Sequence, residues 1–472
     1  MLAEAIARHE AVAECAVTSK DDEPVVFFRL RHRTAPDGDQ AASRERLWGR
    51  IFDDAYEAGN PADPILNSAG WIDSFTGAPI PADTMQRLVD ATAARIVATS
   101  PRRVLEIGSG TGMVALRVAP LCERYVATDI AARGLEHIRV EAERLGCGAI
   151  VRVEQRSAID LDGLGGPFDT VVVNATAQYF PSVAYLAEVV RRATRLLEDG
   201  GTLFLGELRS LPLVPLQRAA VVVARAHEGE SNELLRARWQ KAIASEKELA
   251  LDPTIGHALA RTLPEITDAR VILKRGAAKS ELVDYRFDLV LTVRGKAQRA
   301  AAPDLAVWPD EGENLEALAG LARRGACIGR KRAPNARLDA PLRARMRLDE
   351  SLGPPRAHAV DPERVFALGD DLAIHVGWSD ASARGDIAFV MQRRDMPPAS
   401  FDGIAEPPKH AALLPLERFA NAPAKNAAAI AVTSSIEAAA RAVDPRARCV
   451  EVAAFPRRAD GTVDLDVLSE LA

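Results

Sequence analysis

Between Val104 and Met113 the chain reads VLEIGSGTGM, and no other stretch restricts the fold as much. An apolar run containing one acid, Glu106, leads into glycines at alternate positions, Gly108, Gly110 and Gly112, and then into VALRVA, a helical pattern stopped by Pro120. Glycine reaches backbone conformations that a Cβ forbids and lets a ligand approach the main chain closely. The first turn of the following helix presents N–H groups without intrahelical partners, so strand, glycine turn and helix together make a binding loop for a carboxylate or phosphate. Met113 stands where a dinucleotide-binding loop would carry its third glycine, which favours a nucleoside ligand without pyrophosphate over a nicotinamide cofactor.

Around this loop the sequence alternates short β-branched runs with helical patterns: RVLEI, RYVAT, AIVRV, FDTVVVN and TLFLG, ending at Leu205–Gly206. That alternation predicts a parallel sheet wound by right-handed crossovers, the doubly wound α/β class. VILKRG and Tyr285–Val293 are expected to add antiparallel strands. In such a sheet ligands sit at the carboxyl ends of the strands. The second strand ends there in Asp129, 17 residues after Gly112, where a carboxylate can accept ribose hydroxyls. The third leads to QRSAID, whose Ala158–Ile159 backbone is placed beside a nucleobase, with Asp160 next to it. The fourth ends in NATAQYFP with Asn174, Gln178 and Tyr179, and the fifth in GELRS with Glu207 and Arg209.

The remainder is less specific. With 60 Lys+Arg against 66 Asp+Glu, the net charge of −6 argues against a dedicated nucleic-acid binder. Five cysteines stand far apart without a C-x-x-C pair, so neither a zinc site nor a disulfide framework is expected, and no metal is assigned. Glu4, His9 and Glu10 interrupt any secretory signal at the N-terminus, and no run approaches a membrane span, so a cytoplasmic protein is expected. His137 and His227 fall in helical patterns and read as surface or core-edge residues. The arginine-rich run from Gly329 to Leu348 reads as a solvated face or a dock for an acidic partner.

Glu106-Gly-x-Gly-x-Gly followed by Asp129 resembles the motif pair of class I S-adenosylmethionine-dependent methyltransferases. A narrower resemblance rests on GWIDSFTGAPIP (Gly70 to Pro81), LEIGSGTGM, NATAQYFP, GELRSLPLVPLQ and KRGAAKSELVDYRFDLVL, with WP at 308, APNARL at 333 and HVGWS beyond them. In this order they resemble the methyltransferase domains inserted into adenylation domains of nonribosomal peptide synthetases. AIARHEAVAECAV and VAAFPRRADGTVDLDVL resemble the two halves of a small adenylation subdomain, with Thr462 in place of that subdomain's lysine. Amino-acid activation by this chain is therefore not expected. The implied organisation is residues 1–59, the first part of the small subdomain and a linker; 60–299, the methyltransferase core; 300–395, an accessory α/β region; and 396–472, a linker and the rest of the subdomain.

The resemblance implies S-adenosylmethionine as cofactor, held by Glu106, Gly108, Ser109, Gly110, Gly112, Met113, Asp129, Ala158, Ile159 and Asn174. It implies a catalytic edge of Asn174, Gln178, Tyr179 and Glu207, with Trp71, Phe75 and Arg209 toward the acceptor. The partner it implies is a carrier protein bearing a phosphopantetheine-linked aminoacyl or peptidyl substrate, among other synthetase modules. Lys279-Ser280 replaces the family's usual His-Asn, Phe75 a usual Tyr and Glu207 a usual Asp. With no histidine in the five motifs from GWIDSFTGAPIP to KRGAAKSELVDYRFDLVL, N-methylation is favoured over transfer to oxygen or carbon. A scaffold that has lost transfer, or an enzyme for free small molecules, are the competing expectations.

Overall fold

The computed structural model describes residues 2–20, 23–30, 37–58, 63–276, 280–295, 305–379, 382–396, 416–423, 435–451, 455, 457–458, 460–465 and 468. Two compact units are present: residues 1–40, 245–247 and 423–472, and residues 41–244 with 248–422. In the smaller, α1 (Leu2–Ala7) precedes β1 (Val12–Lys20) and β2 (Glu23–Leu30), an antiparallel pair. The strand Arg448–Glu451 pairs in parallel with β2. Alternation along β2 sends Val26 and Phe28 into a core with Ile6 and Ile436, and Val25 and Phe27 into another with Phe455 and Leu468. Thr462 lies in an exposed turn, where Asp460 Oδ1 accepts from its N–H at 2.9 Å and its hydroxyl at 2.6 Å.

The larger unit takes in the helix α2 (Asp37–Ala58) from Ala41 onward, followed by α3 (Ala82–Val97), β3 (Arg103–Ile107) and α4 (Ala115–Val118). Next come β4 (Arg124–Asp129), α5 (Ala132–Arg144), β5 (Val151–Gln155), β6 (Phe168–Asn174) and α6 (Val183–Leu196). Then follow β7 (Leu197–Ser210), α7 (Val214–Ala224), α8 (Asn232–Ala244), β8 (Ala250–Leu251), α9 (Ile255–Thr262), β9 (Ile266–Leu273), α10 (Glu281–Asp284) and β10 (Arg286–Val293). The sheet order is β5-β4-β3-β6-β7-β10-β9, with β8 beside the end of β7. Strand order reverses at β3 and β6, which opens the ligand crevice of a doubly wound sheet there. Along β3, Val104 packs on one face while Leu105 and Ile107 pack on the other, and β6 and β7 alternate in the same way. Both faces are covered, as parallel strands require.

Two sequence expectations change here. β10 runs antiparallel to β7, but β9 is antiparallel to β10 and so runs with the parallel set, because α9 carries the chain back across the sheet before β9 begins. Only one of the two expected antiparallel strands therefore opposes the others. Residues 41–58, assigned by sequence to the N-terminal segment, group with the larger unit, for reasons visible at the site below.

A second sheet of β11 (Ala306–Val307), β12 (Ile328–Ala333), β14 (Ile387–Arg393) and β13 (Leu372–Trp378) belongs to the same unit. Its Trp308, Trp378 and Phe389 share one apolar cluster with Leu205 and Leu289 of the main sheet. Three cations of the arginine run are paired internally: Arg330 with Glu313, Arg337 with Glu363 at 2.8 Å, and Arg345 with Asp349 at 2.7 Å while stacking over Trp239. Arg332, Arg343 and Arg347 are exposed, as a solvated face requires. Among the described residues no helix is long and apolar enough to cross a membrane, and no cluster of metal-ligating residues occurs.

Three elements of the sheet edge are pinned by buried charge. Asp288 of β10, fully buried, pairs with Arg95 of α3 and with Lys274 Nζ at 3.2 Å, and accepts the Glu207 N–H of β7 at 3.0 Å. Burial alone would raise this carboxyl, yet Lys274 and Arg95 hold it below its ordinary value. Removing one member of such a cluster leaves buried charge uncompensated. Asp288→Asn is expected to destabilise the larger unit by about 3–5 kcal/mol in a urea titration; an unchanged midpoint would show that the cluster carries no stability.

Candidate active site

The glycine loop closes onto the tip of β4. Gly108 and Ser109 donate their N–H groups to Thr128 O at 2.7 and 3.0 Å, and Gly110 donates to Asp129 Oδ2 at 2.7 Å. Asp129 Oδ1 accepts the Ala131 N–H at 2.8 Å, so one buried carboxylate fixes both the loop and the entry to α5. The Ile130 N–H also bears on the carboxylate, which leaves it part of its accepting capacity for a ligand hydroxyl. Burial raises the Asp129 carboxyl despite these bonds. Gly108, at φ 76°, has no room for a side chain, because a Cβ would land on Thr176 of the loop after β6. Thr176 Oγ1 lies 2.9 Å from the carbonyls of both Gly108 and Asn174, joining the tips of β3 and β6.

Glu106 points away from the loop surface. Buried beneath it, its Oε2 accepts the Tyr125 hydroxyl at 2.8 Å, and burial pushes the carboxyl up to about 8 against a slight opposing effect of that bond. The sequence places it among cofactor contacts; the structure makes it a support under the strand. Ser109 is buried with its hydroxyl toward Thr128 O, and Met113 is half-buried against the cluster of Leu66, Met85 and Leu88 that also holds Trp71.

Sequence reasoning missed the cover. Trp48, Phe52 and Tyr56 stand four residues apart on α2 and form a stacked ladder, with centroid distances of 5.5 and 5.8 Å. Tyr179 packs against Trp48 at 4.6 Å and Phe52 at 5.1 Å. Tyr56 lies over the glycine loop, its hydroxyl 3.1 Å from where a Gly110 Cβ would be, and burial beside Asp129 raises that hydroxyl's pKa. Asp53 accepts the Arg133 N–H at 3.1 Å at the start of α5. Aromatic residues at i, i+4 and i+8 were the signal in the sequence. His137 is half-buried and bonds Pro64 O at 2.7 Å, while His227 is exposed, in keeping with surface or core-edge positions.

At the other end, Gln178 is buried and Tyr179 half-buried, and burial pushes the Tyr179 hydroxyl up to about 12. Asn174 Oδ1, Gln178 Oε1 and Glu207 Oε2 are buried oxygens without a hydrogen-bond partner among the described residues. Glu207, at φ 61° in a bulge of β7 opposite Asp288, gives its Oε1 to Lys274. Ala158 and Ile159 are half-buried beside α6, with Ile159 O accepting from Arg192 at 2.7 Å. Asp160 is exposed and paired with Arg156 at 3.2 Å. Phe75 sits in a turn organised by Asp73, which accepts the N–H groups of Phe75 and Thr76. Lys279 lies outside the described residues; Ser280 caps α10 through Leu282 N.

Residues 105–203 match the family described as a methyltransferase domain. Chondramide synthase cmdD of Chondromyces crocatus is 34% identical over 410 residues, covering 82% of this chain and 10% of that protein. A probable non-canonical nonribosomal peptide synthetase, CymA of Salinispora arenicola, is 35% identical over 277 residues, 58% of this chain and 3% of that one. Nonribosomal peptide synthetase dtxS1 of Metarhizium robertsii is 29% identical over 319 residues, 65% and 4%. The chain carries a methyltransferase domain of the nonribosomal peptide synthetase type. It spans a tenth or less of the length of these curated relatives. S-adenosylmethionine is the cofactor of such a domain, and the residues fit it: a loop bare of side chains at Gly108 and Gly110, a strand-tip carboxylate, and the orphaned Asn174 Oδ1 at the switch point.

In this methyltransferase the fifth-strand tip is braced by a polar chain. Ser74 N–H donates to Glu281 Oε1 at 2.7 Å, Gln217 Nε2 to Glu281 Oε2 at 2.7 Å, and Arg209 to Gln217 Oε1 at 3.0 Å and Glu248 at 2.9 Å. Arg209, expected to touch the acceptor, is 4% exposed and committed to this chain. Glu281 follows the altered Lys279-Ser280 pair, and it ties the Trp71–Phe75 turn to β7.

Two expectations follow from the loop. Gly110→Val and Asp129→Ala should each weaken S-adenosylmethionine binding by at least about tenfold in titration calorimetry, the second because it frees the loop as well as losing an acceptor; undiminished affinity in both would remove the loop from the cofactor site. Glu106 titrates near 8 when folded against an ordinary 4.5, so the native state keeps a proton that the unfolded chain releases. Stability from this group therefore falls as pH rises from about 4.5 to about 8 and levels above. Thermal melts of Glu106→Gln should lose that part of the decline; curves parallel to wild type would contradict it.

Proposed function

We propose that this methyltransferase N-methylates the amine of an aminoacyl or peptidyl group tethered to the phosphopantetheine arm of a carrier protein, within nonribosomal peptide synthesis. The observation that carries the reading is the junction made by Thr176, which joins the glycine loop to the segment bearing Asn174, Gln178 and Tyr179. Cofactor loop and acceptor edge are thereby adjacent. Similarity to nonribosomal peptide synthetases supports an aminoacyl or peptidyl substrate. When bound, S-adenosylmethionine supplies an electrophilic methyl carbon on a sulfonium.

This chain's residues then have to place a nitrogen lone pair about 3 Å from that carbon and give its proton somewhere to go. Tyr179, held by the Trp48–Phe52 stack, orients the amine. Lys274 engages Glu207 Oε1, which prevents the side chain from swinging and leaves Oε2 to accept an amine N–H. The α2 cover and the Trp71–Phe75 turn exclude water from both ends. Ala158 and Ile159 lie at the third-strand tip on the nucleobase side. None of Asn174, Gln178, Tyr179 and Glu207 is a histidine, and a neutral amine needs only a modest base.

Carrier proteins loaded with single amino acids and incubated with this chain and labelled S-adenosylmethionine should gain one methyl group by intact-mass analysis, on nitrogen by fragmentation. Tyr179→Phe should slow this by roughly 10- to 100-fold with unchanged cofactor affinity. Equal methylation of the free amino acid, or a methyl group on oxygen or carbon, would overturn the reading.

A further inference from the structure

Among the described residues Arg286 is a guanidinium with only long contacts, both to Glu207. It opens β10 directly opposite Arg209 on β7, with a side chain only 12% exposed. Its recorded contacts are long: Nη1 lies 3.5 Å from Glu207 O and 3.8 Å from Glu207 Oε2. The neighbouring buried guanidinium of Arg209 has a carboxylate oxygen at 2.9 Å, and Arg95 is tightly paired with Asp288. A buried guanidinium carries five donors and is costly to leave unsatisfied. Beside it, Glu207 Oε2 is a buried acceptor with no hydrogen bond. Lys274 and Asp288 hold Glu207 at both its side chain and its N–H, so Oε2 cannot rotate toward the arginine to form a short pair.

The edge therefore offers guanidinium donors and a carboxylate acceptor 3.8 Å apart, too far for a short hydrogen bond to each other, with Glu207 Oε2 left unbonded among the described residues. In an α-aminoacyl group the amine nitrogen and the carbonyl oxygen are separated by three bonds, a span of about 3 Å from standard bond lengths. Such a group supplies the N–H donor and the carbonyl acceptor in one rigid unit. We infer that Arg286 binds the carbonyl oxygen of the acceptor's α-aminoacyl group while Glu207 Oε2 receives its amine, so that this pair selects α-amino acyl substrates over simple amines. The inference rests on the aminoacyl reading above and adds to it the residue that recognises the carbonyl. Tyr179 lies within the field of Arg286, which places both at the same end of the site.

The test is a cycle of two substrates and three proteins. Alanyl-pantetheine thioester and its thioether analogue, in which a methylene replaces the carbonyl, are compared with wild type, Arg286→Gln and Arg286→Lys. S-adenosylhomocysteine affinity is measured by calorimetry in each as a control for folding. The wild-type preference for the thioester in kcat/KM should shrink by about tenfold or more in Arg286→Gln, and partly in Arg286→Lys, which keeps charge without the fork. A non-reactive ketone analogue of the thioester should likewise bind wild type more tightly than either variant. A preference unchanged by the substitutions overturns the role of Arg286; if Arg286→Gln fails the folding control, Arg286→Lys and the ketone affinities decide alone. Absence of transfer from wild type to any aminoacyl thioester would instead sink the functional reading itself.

Discussion

The Asp129 carboxylate holds the site in place. By accepting one N–H from the glycine loop and one from the start of α5, it joins the turn after β3 to the turn after β4. A parallel sheet leaves its strand tips to be positioned by their own loops, and loops alone position poorly. Here the tips are laced in sequence: Asp129 joins β4 to the glycine loop, Thr176 joins that loop to β6, and Asp288 joins β10 to β7. Each link uses a main-chain group at one end, so the lacing depends on backbone geometry more than on side-chain choice.

Charge buried under the acceptor edge serves a different purpose. Arg95, Lys274 and Asp288 contribute little net stability relative to an apolar core, since desolvation offsets most of their attraction. What they impose is direction. The bulge at Glu207, with its positive φ, would be a strained local choice without Asp288 accepting its N–H. The bulge turns a residue that strand alternation would otherwise orient, and Lys274 then restricts where its carboxylate goes.

Much of the cofactor end was legible in the sequence because glycines, strand tips and a single acid occur there in local order. VLEIGSGTGM and the five apolar runs are short-range patterns, and the sheet follows them. The acceptor end was legible only in part. Tyr179 lies in the turn after β6 and Glu207 in a bulge within β7, while Arg209 and Glu106 turn inward, since a position near a strand end does not reveal which side a long polar chain takes. Lys274, Glu281 and Arg286 meet these residues across long sequence separations, and nothing local announces such a meeting. The α2 ladder was visible as Trp48, Phe52 and Tyr56 at helical spacing, yet its partner Tyr179 is more than a hundred residues away.

That ladder gives the molecule an optical handle. Of the five tryptophans, Trp308 and Trp378 are sealed in the apolar cluster behind the sheet, Trp239 lies under a guanidinium, and Trp71 packs with Met85 and Leu88. Trp48 packs at a tilt against Tyr179, with Phe52 and Tyr56 continuing toward the glycine loop. Indole emission responds to the polarity and the ring contacts around it, so the intrinsic fluorescence of Trp48 samples the seam between the helix and the site from within.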